Sequence, residues 1–260
     1  MKRTLIFIMV LVVLVGTIGA KVQTDLQRAN LFGNIKYVTE ITYSAKEYLG
    51  EWIQGDLKER ILTRYTREGY LDVEYFYDAD GMLETKVLYD YYDDKGNPTK
   101  SSYYAADGSL IWEWLYFFNA TNLLSKVAVY EANGSLIMIA LNSYDARGNR
   151  VEQVQFDAYD SIFWKILYSY DAEDILKEET SYRYDSSVYE KKLYSYDAKG
   201  NVAEMATYDA DGSLKKKDFY AYEYDREANW LKRIVSREVT KLDKTYPEPQ
   251  TITTRAITYY

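Results

Sequence analysis

The sequence predicts an all-β fold, a long antiparallel meander curled into an open barrel or spiral sheet. Three observations predict it. An aromatic residue followed four positions later by glycine, or a substitute for it, recurs thirteen times between Tyr65 and Tyr224. The stretches between these turns alternate in polarity: Leu176, Glu178, Thr180 and Tyr182 share one face and Lys177, Glu179, Ser181 and Arg183 the other, which is the strand period. The chain also carries 30 tyrosines against 3 prolines, a composition that suits strands with half-wet surfaces. So many adjoining strands must curl, because each twists relative to the last.

Taken in order, the chain opens with Lys2 and Arg3, an apolar run from Leu5 to Val15, and the small-residue stretch to Ala20. That layout predicts a secretory signal peptide over residues 1–20, with an uncleaved anchor as the alternative. The first strand is expected over Ile35 to Tyr43, followed by a long loop from Ser44 to Asp56 that contains Gly50 and Gly55. The repeats then place aromatics at Tyr65, Tyr77, Tyr92, Tyr104, Phe118, Tyr130, Tyr144, Phe156, Tyr170, Tyr184, Tyr196, Tyr208 and Tyr224. Nearly all steps are even, so these aromatics should form two rows, one near each rim. The odd step from Tyr77 to Tyr92 suggests that Tyr91 takes the standard place, beside a bulge.

The turns are predicted at Gly81, Gly96, Gly108, Gly134, Gly148, Gly200 and Gly212. Each glycine closes a type I turn with a bulge, and the preceding Asp, as in Asp209 to Gly212, bonds backbone two residues on. Degenerate copies put Asn122, Asp160, Asp174 or Val188 in the glycine position. The last strand is expected around Thr251 to Tyr259, after Pro247 and Pro249. This makes about sixteen strands in a single domain over residues 21–260.

Composition excludes several functions. There is no Cys and no His, which removes disulfides, thiol nucleophiles, His-based triads and the usual zinc sites. The formal charge is −8, so phosphate backbones and anionic lipid are repelled and nucleic acid is not an expected partner. The Asp-x-Asp-Gly pieces at Asp78 and Asp209 lack the twelfth-position Glu of a calcium loop, where Tyr89 and Tyr220 stand, so they read as turns and no metal or cofactor is expected. A membrane barrel is disfavoured because the stretch Leu214 to Tyr224 carries charge on both faces.

The centre of the chain is apolar on both strand faces. Trp112, Trp114 and Tyr116 stand opposite Ile111, Leu115 and Phe117, and Trp164 stands opposite Phe163. Such strands are normally covered on both sides, either by the curled ends of the sheet or by a ligand or partner. Trp112, Trp114, Trp164 and Tyr116 are therefore the candidate binding residues, because indole and phenol rings offer the largest stacking faces.

The pieces YDARGNR, YDAKGNV and YDREANW resemble the YD repeats of the RHS family, and the resemblance spans roughly residues 60–240. The stretch Leu31 to Glu40 and the Tyr-Tyr ending also look like short exported YD-repeat proteins. The resemblance implies an exported or cell-surface repeat scaffold of YD-type units. Residues and resemblance together point to a non-catalytic exported binding or scaffold protein, located in the periplasm, at the cell surface or in the medium. Its aromatic surface would hold cell-wall glycan, another carbohydrate or a partner protein. The alternative is a polysaccharide-acting enzyme that uses carboxylates and tyrosines.

Overall fold

The structure, a computed structural model, describes residues 24–260. The segment read as a signal peptide lies outside the described residues. A short helix, α1 (Asp25–Arg28), is followed by sixteen strands: β1 (Ile35–Tyr48), β2 (Glu51–Tyr65), β3 (Leu71–Tyr77), β4 (Leu83–Tyr92), β5 (Pro98–Ala105), β6 (Leu110–Phe118), β7 (Leu124–Glu131), β8 (Leu136–Tyr144), β9 (Arg150–Asp157), β10 (Ile162–Tyr170), β11 (Leu176–Arg183), β12 (Val188–Tyr196), β13 (Val202–Asp209), β14 (Leu214–Tyr224), β15 (Trp230–Lys241) and β16 (Lys244–Tyr259). Every strand pairs antiparallel with its sequence neighbours, and β1 pairs with β16. The meander is therefore closed, which corrects the expectation of an open barrel or spiral. Closure satisfies the edge strands that an open sheet would leave unpaired.

Each repeat turn has one geometry. In the Tyr144 unit, Gly148 N donates to Asp145 O and Asp145 N donates to Asn149 O, while Asp145 Oδ1 accepts from the backbone N of Arg147 and Asn149. This is the type I turn with a left-handed residue at its close. Where glycine is replaced, Asn122, Asp160 and Asp174 take φ of 63°, 65° and 62°. The unit aromatic pairs with the residue six places on, and a further bulge follows directly: Tyr104 faces Leu110, Tyr103 faces Trp112, and Ile111 is the extra residue.

The frame corrects one unit. Tyr182, not Tyr184, pairs with Val188, and the left-handed position belongs to Ser186 (φ 63°) rather than to Val188. A β-branched side chain is thereby kept out of a conformation it resists. With that correction the true repeat is a hairpin of 26 residues: Gly108, Gly134, Asp160, Ser186 and Gly212 follow one another at this interval, as do Gly96, Asn122, Gly148, Asp174 and Gly200. At the 15-residue step Tyr92, not Tyr91, pairs with Pro98, and a bulge between Leu88 and Tyr91 absorbs the extra residue.

The same backbone turn carries different side chains at the two ends of the barrel. At one end, here the floor, the unit aromatics Tyr65, Tyr92, Phe118, Tyr144, Tyr170 and Tyr196 point inward; at the other, the mouth, Tyr77, Tyr104, Tyr130, Phe156, Tyr182 and Tyr208 point outward. Three floor turns end in Gly-Asn, at Asn97, Asn149 and Asn201, and these Asn side chains bond beyond their own turns. Asn149 Nδ2 reaches Asp145 Oδ2 at 3.1 Å and Asp174 Oδ1 of the next floor turn at 2.6 Å, and Asn97 Nδ2 joins Asp93 to Asn122 in the same way. Floor tyrosines close the hairpins: Tyr92 Oη donates to Leu71 O, Tyr144 Oη to Leu124 O and Tyr170 Oη to Arg150 O. Helix α1, with a capping box between Thr24 and Gln27, lies at this end. Asp25 Oδ2 accepts from Leu71 N, and Leu26, Leu31 and Ile35 pack on Tyr65.

The expected loop from Ser44 to Asp56 is instead the tip of a long hairpin. Strands β1 and β2 continue to a two-residue turn at Leu49 and Gly50 (φ 53° and 82°), and β15 and β16 continue to Leu242 and Asp243. The β1–β16 pairing stops at Ser44 and Thr251, so the two hairpins rise from the mouth as separate fingers. Pro247 and Pro249 lie where β16 pairs with β15 alone, so a missing N–H costs no ladder bond on the β1 side.

Candidate functional site

Paired residues share a face, so the register can be followed around the ring. One face carries Thr63, Glu74, Val87, Tyr103 and Trp112, then Trp114, Val129 and Met138, then Ile166, Ser181 and Glu190, then Lys192, Thr207 and Lys216, and finally Arg233, Thr253 and Thr42. This face holds the fully buried polar side chains Ser101, Gln153, Thr207, Asp218 and Thr253, and it lines the lumen. The other face carries cross-strand ion pairs, Lys165–Glu152, Lys191–Glu178 and Lys217–Glu204 at 2.7–3.0 Å, together with Lys100–Glu113. It also carries Phe117 and Leu141, 43% and 42% exposed. Several outer aromatics sit under cations, Tyr77 under Arg60 at 3.9 Å and Phe117 under Lys126 at 4.8 Å. Lys and Arg at mid-strand are unfavourable against lipid by about 2–4 kcal/mol each, Asp and Glu by less.

The lumen wall is graded. Residues at one height recur with the hairpin period. They run Trp112, Met138, Trp164, Glu190, Lys216 near the mouth and Trp114, Ala140, Ile166, Lys192, Asp218 one step deeper. The arc over β6–β8 is mainly aromatic and aliphatic, and the arc over β12–β16 carries Glu190, Lys192, Lys216, Asp218, Arg233 and Arg255. The bulge after each mouth turn sends one more side chain inward, so Ile137 and Phe163 pack against the cluster of Trp114, Val127, Val129, Met138 and Ala140.

All four candidate binding residues lie on this inner face. Three of them meet: Trp112, Trp114 and Tyr116 surround Tyr103, with Tyr103 5.3 Å from Trp114 and 6.3 Å from Trp112 between ring centroids. Tyr116 Oη and Ser101 Oγ are hydrogen-bonded at 2.9 Å, and burial pushes the Tyr116 pKa to about 12. Trp164 stands apart, edge-on to Tyr189 at 5.0 Å. Trp114 is buried, while Trp112 and Trp164 are half-buried.

The inward carboxylates are engaged one by one. Asp218 holds Arg237 at 2.8 Å and Lys216 at 3.1 Å, Glu190 holds Lys192 at 3.0 Å, and Glu40 holds Arg255 at 2.6 Å. Glu179 accepts from Tyr194 Oη. Glu74 accepts from Tyr89 Oη at 2.8 Å and Thr63 Oγ1 at 3.3 Å; burial raises its pKa against the pull of these hydrogen bonds. The like charges of Asp25 and Glu40 add to the rise at Glu74. Among the described residues no group of three or more acidic side chains is arranged to hold a metal ion. A shallow groove of about 490 Å³ lies on the outer wall over β11–β13, lined by Glu178, Thr180, Lys191 and Tyr208.

Four buried polar side-chain atoms lack a partner among the described residues: Trp114 Nε1, Thr207 Oγ1, Arg233 Nε and Arg255 Nη1. All four belong to the lumen face. The aromatic members of the site were legible in the sequence, but the two arginines were not singled out. Their signal is parity: Arg255 shares the inward alternation of Thr251 and Thr253.

No protein family matches this chain, and no curated protein matches it. Solved structures that resemble it include a porin-like protein from Bacteroides uniformis, 10% identical, covering 86% of this chain and 96% of that one, with a TM-score of 0.38. A domain described as an outer membrane lipoprotein-sorting protein from Vibrio parahaemolyticus is 14% identical, covers 92% of each chain and scores 0.30. The Photorhabdus luminescens Tc holotoxin pore is 16% identical over 79% of this chain and 14% of that one, scoring 0.23. Scores this low carry no functional argument. The resemblance to RHS-type YD repeats is corrected: no family model matches the chain, and its strands close into a sixteen-stranded barrel.

Proposed function

We propose that this chain is a non-catalytic exported binding protein whose binding surface is the lumen wall rather than an outer face. Its ligand would present an apolar or stackable surface to Trp112, Trp114, Tyr103 and Met138. One observation carries the reading: the four unpartnered buried polar atoms all lie on the lumen face. Buried donors and acceptors in folded proteins are nearly always paired, so unpaired ones gathered on a single wall are what a ligand or its hydration would satisfy. The charged outer wall supports a barrel surrounded by water, and the predicted signal segment supports export.

The test uses N-phenyl-1-naphthylamine, a neutral apolar dye, and a variant that keeps Trp114 as its one tryptophan. Energy transfer from Trp114 to bound dye is expected, with Trp114→Ala and Met138→Ala weakening dye binding in the native background. Cell-wall glycan fragments form a second arm: competition with the dye would identify a sugar as the stacking ligand. Absence of transfer, with neither dye nor glycan perturbing Trp114 emission, would overturn the reading.

A further inference from the structure

Two cations on the charged side of the lumen are only partly explained by the contacts around them. Arg233 pairs across the sheet with Tyr222 on one side and Thr253 on the other, neither of them an acid. It makes no ion pair among the described residues, and its buried Nε has no acceptor. Arg255 gives Nε and Nη2 to Glu40 at 2.8 and 2.6 Å, but its buried Nη1 has none. Both guanidinium groups lie over the indole of Trp230, at 5.1 and 3.4 Å from the ring centroid. Of these two half-buried cations only Arg255 has a carboxylate, in a chain with 40 acidic residues and a formal charge of −8.

An unpaired buried guanidinium N–H is costly, and the chain has acids enough to have neutralised it. A guanidinium fork held flat on an aromatic ring fits the oxygens of a carboxylate or phosphate, and the ring limits its loss of freedom on binding. Strand β15 lies halfway around the ring from β7, which carries Val127 and Val129 of the apolar wall. The cation pair also lies toward the floor, close to the Tyr224–Trp230 pairing. A ligand that reaches both walls therefore needs an anionic end and an apolar body.

We propose that the lumen takes a single-chain amphiphile, its carboxylate or phosphate head seated on Arg233 and Arg255 and its chain laid against the Trp114–Met138 wall. This rests on the lumen reading above and adds the ligand's chemistry and direction. The same chain length is compared with four heads on the mature protein: dodecanoate, dodecyl phosphate, dodecanol and dodecyltrimethylammonium, each displacing the neutral dye. An anionic head is expected to bind about tenfold or more tighter than the alcohol, the worth of one good charge-assisted contact. The ammonium head is expected to bind more weakly than the alcohol. Arg233→Gln should collapse the anion-to-alcohol ratio toward one. Its circular dichroism should match the parent, since Arg233 holds no ion pair whose loss would unfold the barrel. Whichever anion binds tighter identifies the head. Equal binding of anion and alcohol by the folded parent, or an unchanged ratio in Arg233→Gln, overturns the head-group seat while leaving the lumen reading intact. No displacement by any of the four, together with no binding of the dye itself, removes both.

Discussion

At the residue scale the turns carry the most exact requirement. Gly200 has φ of 80° with open space where a Cβ would stand, so a side chain there meets no neighbour and only the backbone resists. Gly200→Val should destabilise by about 1–2 kcal/mol more than Lys199→Val, because a β-branched residue is driven into the left-handed region. Gly96 is different in kind. A Cβ there would fall 2.1 Å from Tyr70 Oη, so Gly96→Ala must also displace a ring that stacks on Tyr92. Urea midpoints of Gly200→Val, Lys199→Val, Gly200→Ala and Gly96→Ala test both statements. The ordering expected is Gly96→Ala below Gly200→Ala, and Gly200→Val below Lys199→Val. Equal midpoints in the valine pair would show that the turns do not depend on the left-handed position.

At the scale of the element, the hairpin is the unit, and its two ends are written differently in the sequence. Three floor turns read Asp-x-x-Gly-Asn, at Asp93, Asp145 and Asp197, and their Asn side chains bond beyond the turn, Asn97 to Asn122, Asn149 to Asp174 and Asn201 to Tyr224 Oη; the mouth turn Asp107-Gly108-Ser109 is solvated, with Ser109 bonded to Asp107. The strands and their number were legible, because turn and alternation are local signals. Closure was not, since it depends on β1 meeting β16, more than 200 residues apart in sequence. The fingers were also missed, because Gly50 and Gly55 read as loop residues; Gly55 is held within β2, where a Cβ would strike Ser44. The Tyr184 frame was missed because Arg183 stands in the Asp place, while Asp185 two residues later offers a false start. Floor tyrosines give a graded prediction. Among the described residues Tyr170 Oη is the one side chain bonded to Arg150 O, whereas Leu124 O receives both Tyr144 Oη and Asn142 Nδ2. Tyr170→Phe should therefore cost about 1 kcal/mol and Tyr144→Phe less, by chemical denaturation. The reverse order would mean that the floor is held by ring packing alone.

For the whole molecule, the decisive property is whether the lumen excludes water from its tyrosines. Burial is the leading cause that raises the pKa of Tyr116 and Tyr168 to about 12, and it moves Tyr89 and Tyr103 well above the ordinary phenol value of 10.0. A folded pKa above the unfolded one means that the folded state keeps protons the unfolded state has lost. The stability these groups contribute is therefore complete below pH 10 and is lost as pH rises through their folded values. Unfolding free energy from urea titrations should fall steeply between about pH 10 and 12, and Tyr116→Phe and Tyr168→Phe should each flatten that fall. Tyrosinate absorbance from these positions, isolated as the difference between parent and Phe variants, should appear only as the near-ultraviolet circular dichroism of the barrel disappears. If it develops before pH reaches about 12 with the tertiary signal intact, water and hydroxide reach the aromatic wall freely. The enclosed, graded lumen on which the proposed ligand binding rests would then not exist in solution.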